Sequence, residues 1–333
     1  MLKNGWGNGM TSHIFTIGEA LIDFISMQEN ATIAQVQGFS RQAGGAPANV
    51  AVAVARLGGR TAFFGSVGRD PFGDFLIETM GSYGVETSYI VRVEHATSLA
   101  FVARREGESH YFFVRNPGAD TCLESSHVEN IPMASDVILH FGSNSLAESP
   151  LRETLHTLLL RASREQSLVS FDVNLRPAFW GTVADAKRLC TETVTLVDLV
   201  KVNRDELVWL SDREDEQAAI AHVAQMTHAV VVCTLGSRGV LIHHRDWEHP
   251  IQVVGRSVSV VDTTGAGDAF IGALLYQLGQ AGVSHADLVT LGEVKWRLFC
   301  EFATASAALT VGKFGAMAAM PTLAEVEHFL RDC

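Results

Sequence analysis

The chain has 333 residues, 47% of them hydrophobic and 19% charged, a balance that supports a large buried core and excludes a disordered polymer. A formal charge of −12 repels phosphate-rich partners at long range, which argues against nucleic acid or an anionic membrane as a main ligand. There is no apolar run of about 18 residues to cross a membrane, and the five cysteines (Cys122, Cys190, Cys233, Cys300 and Cys333) are widely spaced, as expected of reduced thiols in a cytoplasm.

Residues 1–12 are polar and rich in Gly and Asn, with Met10 just ahead of the first strand pattern, and are expected to form a flexible tail without function. The rest, 13–333, reads as one domain. Strand patterns at 14–18 and 61–66 alternate with helical patterns at 49–57 and 72–83. The alternation resumes with strands at 137–141, 168–171, 199–202 and 229–233, separated by helices such as 151–162. This order predicts an α/β fold on a mainly parallel sheet. Between the two blocks, 98–104 and 110–115 read as strands around the turn 106–108, with no helix between them. With 24–27 and 33–37 they are expected to form a small antiparallel sheet, drawn from about 24–40 and 87–118. It is either a lid over a ligand cleft or an excursion at the sheet edge. The apolar faces Leu99, Phe101 and Tyr111, Phe113 exceed what one small sheet buries, which predicts a homodimer through the lids.

Two glycine turns carry the chemistry. In 261–270, Gly265, Ala266 and Gly267 run straight into a helix. The glycines let backbone N–H groups approach a ligand, and the helix N-terminus adds partial positive charge, so the turn is an anion hole. Asp268 follows it, either as a cap or as a base that takes the proton of an attacking hydroxyl. There is no GxxxxGK[ST] loop and no GxGxxG after the first strand, so the P-loop and dinucleotide-binding readings both lose ground. In the second turn, Gly44 and Gly45 permit close approach to a polyol, and Asn49 offers a donor and an acceptor to its hydroxyls. Asp23, just past the first strand, is either a turn cap or a carboxylate gripping two sugar hydroxyls.

These two segments, about 220 residues apart, resemble the paired signatures of the ribokinase-like (PfkB-type) carbohydrate kinases. GEALIDF at 18–24, GGAPANVAVAVARLGG at 44–59, VGRDPFGDF at 67–75 and RNPGAD at 115–120 are similar to fructokinases within that family. The resemblance implies a three-layer α/β/α fold with a small β-sheet lid. It implies transfer of the ATP γ-phosphate to fructose, giving fructose 6-phosphate, with Asp268 as base and Gly265, Ala266 and Gly267 as anion hole. A 2-keto-3-deoxygluconate or aminoimidazole riboside kinase, or a non-catalytic sugar-binding protein, is the alternative. Asp23, Gly44, Gly45 and Asn49 would contact the sugar, and Phe101, Phe113 and Arg115 would lie in or near the lid.

The same resemblance assigns further segments. Thr234, Gly236 and Gly239, otherwise a plain hairpin turn, match a TxGxxG pattern for ATP, and Thr304 falls near the adenine. Asn203 and Glu206 match an NxxE motif that organises Mg²⁺ through water, and they also read as a capping box. Arg176, in a DxNxR stretch, would bind sugar or phosphate. Asp262, Thr264, Thr310, Lys313 and Gly315 would surround K⁺ mainly with main-chain oxygens, with Ala319 where Ser is often found. His243 and His244 lack metal-site spacing, Trp296 and Phe299 read as core or dimer surface, and Cys233 reads as structural.

Overall fold

The first strand of the chain is where the sheet changes direction. In a computed structural model, which describes residues 12–105, 108–115 and 117–332, β1 (His13–Ile17) has β4 (Thr61–Gly68) on one side and β8 (Val137–Gly142) on the other, both parallel to it. The sheet continues through β5 (Ile90–Val93) beyond β4. On the other side run β9 (Leu168–Asp172), β10 (Leu199–Asn203), β11 (Val230–Thr234), β12 (Val240–His243) and β13 (Ile251–Val253). Pairing is parallel up to β11, and the last two strands are antiparallel. The residues of β4, β8 and β9 are buried throughout, the pattern of strands covered on both faces. Apolar side chains of α3 (Leu151–Arg164), α4 (Val183–Val194), α5 (Arg204–Ser211) and α6 (Glu216–Met226) fill one face. Those of α1 (Ala46–Arg56), α7 (Ala266–Gln280), α8 (Glu293–Val311) and α9 (Leu323–Arg331) fill the other. Trp296 and Phe299 lie in this second core, with the Trp296 indole donating to the Leu288 carbonyl at 3.2 Å. Ligands of open α/β sheets bind at the carboxyl ends of strands where the order reverses. Here that crevice lies between β1 and β8.

The lid is a four-stranded sheet of β3 (Phe39–Gly44), β2 (Leu21–Glu29), β6 (Leu99–Arg105) and β7 (Glu108–Val114), in that order. It departs from expectation in two ways. The segment 33–37 is a 3-10 turn at Ile33–Gln35, because the Thr32 N–H donates to Gln35 Oε1 at 3.1 Å and closes the chain on itself. The strand beside β2 is formed instead by β3, which delivers the chain directly into the Gly44-Gly45 turn. The sheet is also mixed, since β2 and β6 run parallel. The expected turn at 106–108 falls mostly outside the described residues, as does the tail 1–11.

Both feet of the β6–β7 hairpin are tied to the body. Asp70 caps α2 (Pro71–Ser82) by accepting from Phe72 and Gly73 N–H, and it also accepts from the Thr97 N–H and hydroxyl at 2.8 Å each. At the other foot, buried Arg115 pairs with Asp120 at 2.7 Å, and Asp120 accepts from the Ser98 hydroxyl.

Candidate active site

Helices α1 and α7 bring the two glycine turns face to face. Gly265 precedes α7 with φ 76°, a left-handed value that glycine takes without strain, and a Cβ there would sit 3.1 Å from Ala316. Asp268, in the first turn of α7, makes no capping bond to its own helix. Its Oδ2 accepts from Asn49 Nδ2 of α1 at 2.8 Å, and Oδ1 accepts from Asn174 Nδ2 at 3.4 Å. Burial raises the Asp268 carboxyl above the usual carboxylate range, against the opposing pull of Asn49, Lys201 and Arg176.

These residues line a cleft of about 710 Å³, bounded by the lid on one side and the strand ends on the other. Asp23, Gly45, Asn49, Arg176, Gly265, Gly267 and Asp268 are in its wall, with Phe113 reaching in from β7. Burial pushes Asp23 up to about 7, with the Asp268 charge adding to it and Arg176 opposing. Gly44 packs against this carboxylate so closely that a Cβ would collide with Asp23 Oδ2. Gly45, at φ 105°, would drive a Cβ into the Glu19 carbonyl. Arg176 is exposed at the rim, its Nη1 donating to the Leu175 carbonyl at 3.2 Å.

Phe101 and Arg115 stand outside that wall. Side chains alternate along a strand, so β6 turns Val102 toward the cleft and Phe101 to the opposite face. There Phe101 stacks on Phe24 at 5.1 Å and meets Phe39 at 5.2 Å. Arg115 lies 4.4 Å over the Phe179 ring and is taken up by Asp120. It supports Phe179, which is in the cleft wall and meets Phe113 at 4.5 Å.

A second, mostly apolar cavity of about 390 Å³ adjoins the first across Gly267, and Thr234, Gly236, Gly239 and Thr304 line it. The Thr304 hydroxyl is buried without a hydrogen-bond partner, so a ligand there would find a polar group to satisfy. Asn203 lines the large cleft. Glu206 is buried behind it, its two oxygens accepting the Asn203 N–H at 2.8 Å and the Leu175 N–H at 2.9 Å. The capping box is therefore present, and it fixes the loop that carries Asn174 and Arg176.

On the far side of the turn, Asp262 joins two loops. Oδ1 accepts from the Thr264 N–H and hydroxyl, at 3.1 and 2.7 Å, and Oδ2 accepts from the Gly315 N–H at 3.1 Å. The buried carboxylate thereby ties the 262–264 segment to Gly315. Thr310 donates its hydroxyl to the Ser306 carbonyl, the Lys313 ammonium is turned away to Glu325 at 2.7 Å, and Ala319 is buried. Lys313 and Ala319 therefore have only their main chains to offer the loop. Cys233 is buried, its thiol pushed up to about 12, mainly by burial. His243 and His244 are also buried.

Several cleft residues are absent from the sequence reading, among them Asn174, Phe179 and Lys201. Lys201 of β10 is buried, lines the cleft and donates to Asp172 Oδ2 at 2.9 Å. The available signal was a lysine set in the apolar run Leu199, Val200, Val202.

The pfkB family carbohydrate kinase model matches residues 11–323. Probable fructokinase-4 of Arabidopsis thaliana is 35% identical over 97% of this chain and 98% of its own length. Fructokinase-1 of Oryza sativa subsp. japonica is 36% identical over 96% and 97%. Among solved structures, a fructokinase with bound ATP from Xylella fastidiosa superposes with a TM-score of 0.87 at 35% identity, covering 96% of this chain and 98% of that one. A fructokinase double mutant from Vibrio cholerae O395, in fructose, ADP and potassium ion bound form, gives 0.86 at 32%, covering 97% and 99%. Aminoimidazole riboside kinase from Salmonella enterica, complexed with aminoimidazole riboside and an ATP analog, gives 0.80 at 30%, covering 96% and 99%.

Proposed function

The chain belongs to the pfkB family of carbohydrate kinases, and from that premise we propose that it is an ATP-dependent fructokinase, transferring the γ-phosphate to fructose to give fructose 6-phosphate. The observation that carries this reading is the Asp268 carboxylate. It is turned away from its own helix into a cleft where a second carboxylate, the half-buried Asp23, stands beside a glycine turn. Asp23 and Asn49 accept and donate to the sugar hydroxyls, and Gly44 and Gly45 let the ring approach the backbone. Asp268 takes the proton of the attacking sugar hydroxyl, and the sugar oxygen bonds to the γ-phosphorus as the bond to the bridging oxygen of ADP breaks. The N–H groups of Gly265, Ala266 and Gly267 receive the negative charge of the transferring group.

ATP lies across Gly267, its base in the smaller cavity against Thr304 and its phosphates along Thr234, Gly236, Gly239 and Asn203. Asn203 and, behind it, Glu206 would hold Mg²⁺ through water, and the ion would supply neutralisation of phosphate charge. K⁺ suits the loops tied by Asp262, with Thr264, Thr310, Lys313 and Gly315 contributing main-chain oxygen. Residues 13–333 form one kinase unit in this reading, working as a homodimer joined through the lids. Free thiols at Cys122, Cys190, Cys233 and Cys300 fit a reducing, cytoplasmic setting. Among the described residues, no helix is long and apolar enough to cross a membrane.

The second reading, an aminoimidazole riboside kinase, draws on the likeness to the Salmonella enterica enzyme. A panel of fructose, 2-keto-3-deoxygluconate, aminoimidazole riboside and ribose with Mg-ATP, read by coupled ADP release, separates the two. The largest kcat/KM is expected with fructose. A larger value with another sugar transfers the assignment to it, and no turnover with any would leave a non-catalytic sugar-binding protein.

A further inference from the structure

We propose that Lys201 is a catalytic residue whose ammonium binds the phosphoryl group during transfer, and that Asp172 is the positioning residue that aims it. The proposal rests on the kinase reading above and adds a cationic group to a turn otherwise made of backbone N–H. Three observations support it. The Lys201 ammonium lies against the anion-hole turn, 2.9 Å from where a Cβ on Gly267 would sit, so Gly267 is the residue that leaves it access to that space. Its hydrogen bond is to Asp172 Oδ2, which uses one of three ammonium donors and leaves two for a ligand in the cleft that Lys201 lines. The Asp172 partnership is itself one-sided, since buried Oδ1 has no partner. A pair kept purely for stability would be expected to satisfy both oxygens, because burying two charges is repaid only by near-complete hydrogen bonding.

The charge pattern has the same sense. Burial opposes the Lys201 charge, and the carboxylates of Asp172, Glu206 and Asp268 favour it. The other cation among the described wall residues, Arg176, is at the exposed rim. Lys201 therefore faces the bond being broken from the buried side. It keeps its proton while the sugar hydroxyl's proton goes to Asp268, the new O–P bond forms, and ADP leaves with the old bond's electrons.

The test uses the full chain with fructose and Mg-ATP. Lys201→Met is expected to lower kcat by about 10²–10³-fold, with ADP affinity by calorimetry within about threefold of wild type. Because Lys201→Met leaves Asp172 buried without its cation, the double variant Lys201→Met/Asp172→Asn guards against misfolding. It should recover the melting temperature but not kcat. In Lys201→Ala, added ethylammonium should restore part of kcat, a response that a structural role would not produce. Asp172→Asn alone should lower kcat more than it raises either KM. A folded double variant with kcat within about threefold of wild type, or equal losses of kcat and ADP affinity, would overturn the proposal. If wild type itself turned over no sugar, the kinase reading would fail instead.

Discussion

Asp23 and Asp268 share one cleft, and both are carboxyls whose charge is opposed by burial. Accepting a hydroxyl proton or hydrogen bond requires the ionised form, which for a raised pKa is lost as pH falls. With Asp23 pushed up to about 7, kcat/KM for fructose should decline as pH drops from about 8 to about 6, approaching tenfold per unit at the acid end. In Asp23→Asn that limb should shift to the value set by Asp268 alone, with KM for fructose raised. A profile flat across that range would contradict the assignment. Asp268 was legible in sequence as either a cap or a base, and its oxygens meet Asn49 and Asn174 rather than N–H groups of its own helix, which speaks against the cap. Lys201 was not legible, since its meaning depends on Asp172 of the neighbouring strand and Gly267 of a distant turn.

Among the elements, the glycine turns were the most legible, because a Gly pair entering a helix states both a backbone conformation and an anion-binding end. What sequence spacing hid is their dependence on neighbours. Gly44 belongs to β3, whose partner β2 carries Asp23, and the pairing leaves no room for a Cβ between them. Gly44→Ala should therefore displace the carboxylate and lower kcat/KM for fructose by about 10²-fold, leaving KM for ATP nearly unchanged. Equal effects on both substrates would place the fault elsewhere. The lid was legible as strands but not as a pairing. A strand pattern does not reveal that β2 and β6 run parallel, nor that 33–37 closes into a turn through Thr32 and Gln35. Period-two alternation did hold the information that Phe101 and Phe113 face opposite ways, once the β6–β7 register placed Phe101 opposite Phe112.

At the scale of the whole molecule, function follows from one sheet reversing at β1. The reversal brings the ends of β1, β8, β9 and β10 to one crevice, and the lid hairpin, pinned by Asp70 and by the Arg115–Asp120 pair, stands over it. The lid leaves Met27, Tyr111, Phe112 and Val114 between 48% and 74% exposed, more apolar area than a solvated sheet usually keeps. Sedimentation at micromolar concentration should give a dimer that Phe112→Glu converts to monomer, and a wild-type monomer would count against lid pairing. Phosphoryl transfer here turns on Asp268 as the base, and Asp268→Asn probes it in a single-turnover assay with fructose and Mg-ATP. The variant should fold and bind ADP as wild type does, while phosphoryl transfer slows by about 10³-fold or more. Transfer within tenfold of wild type would show that another group takes the proton.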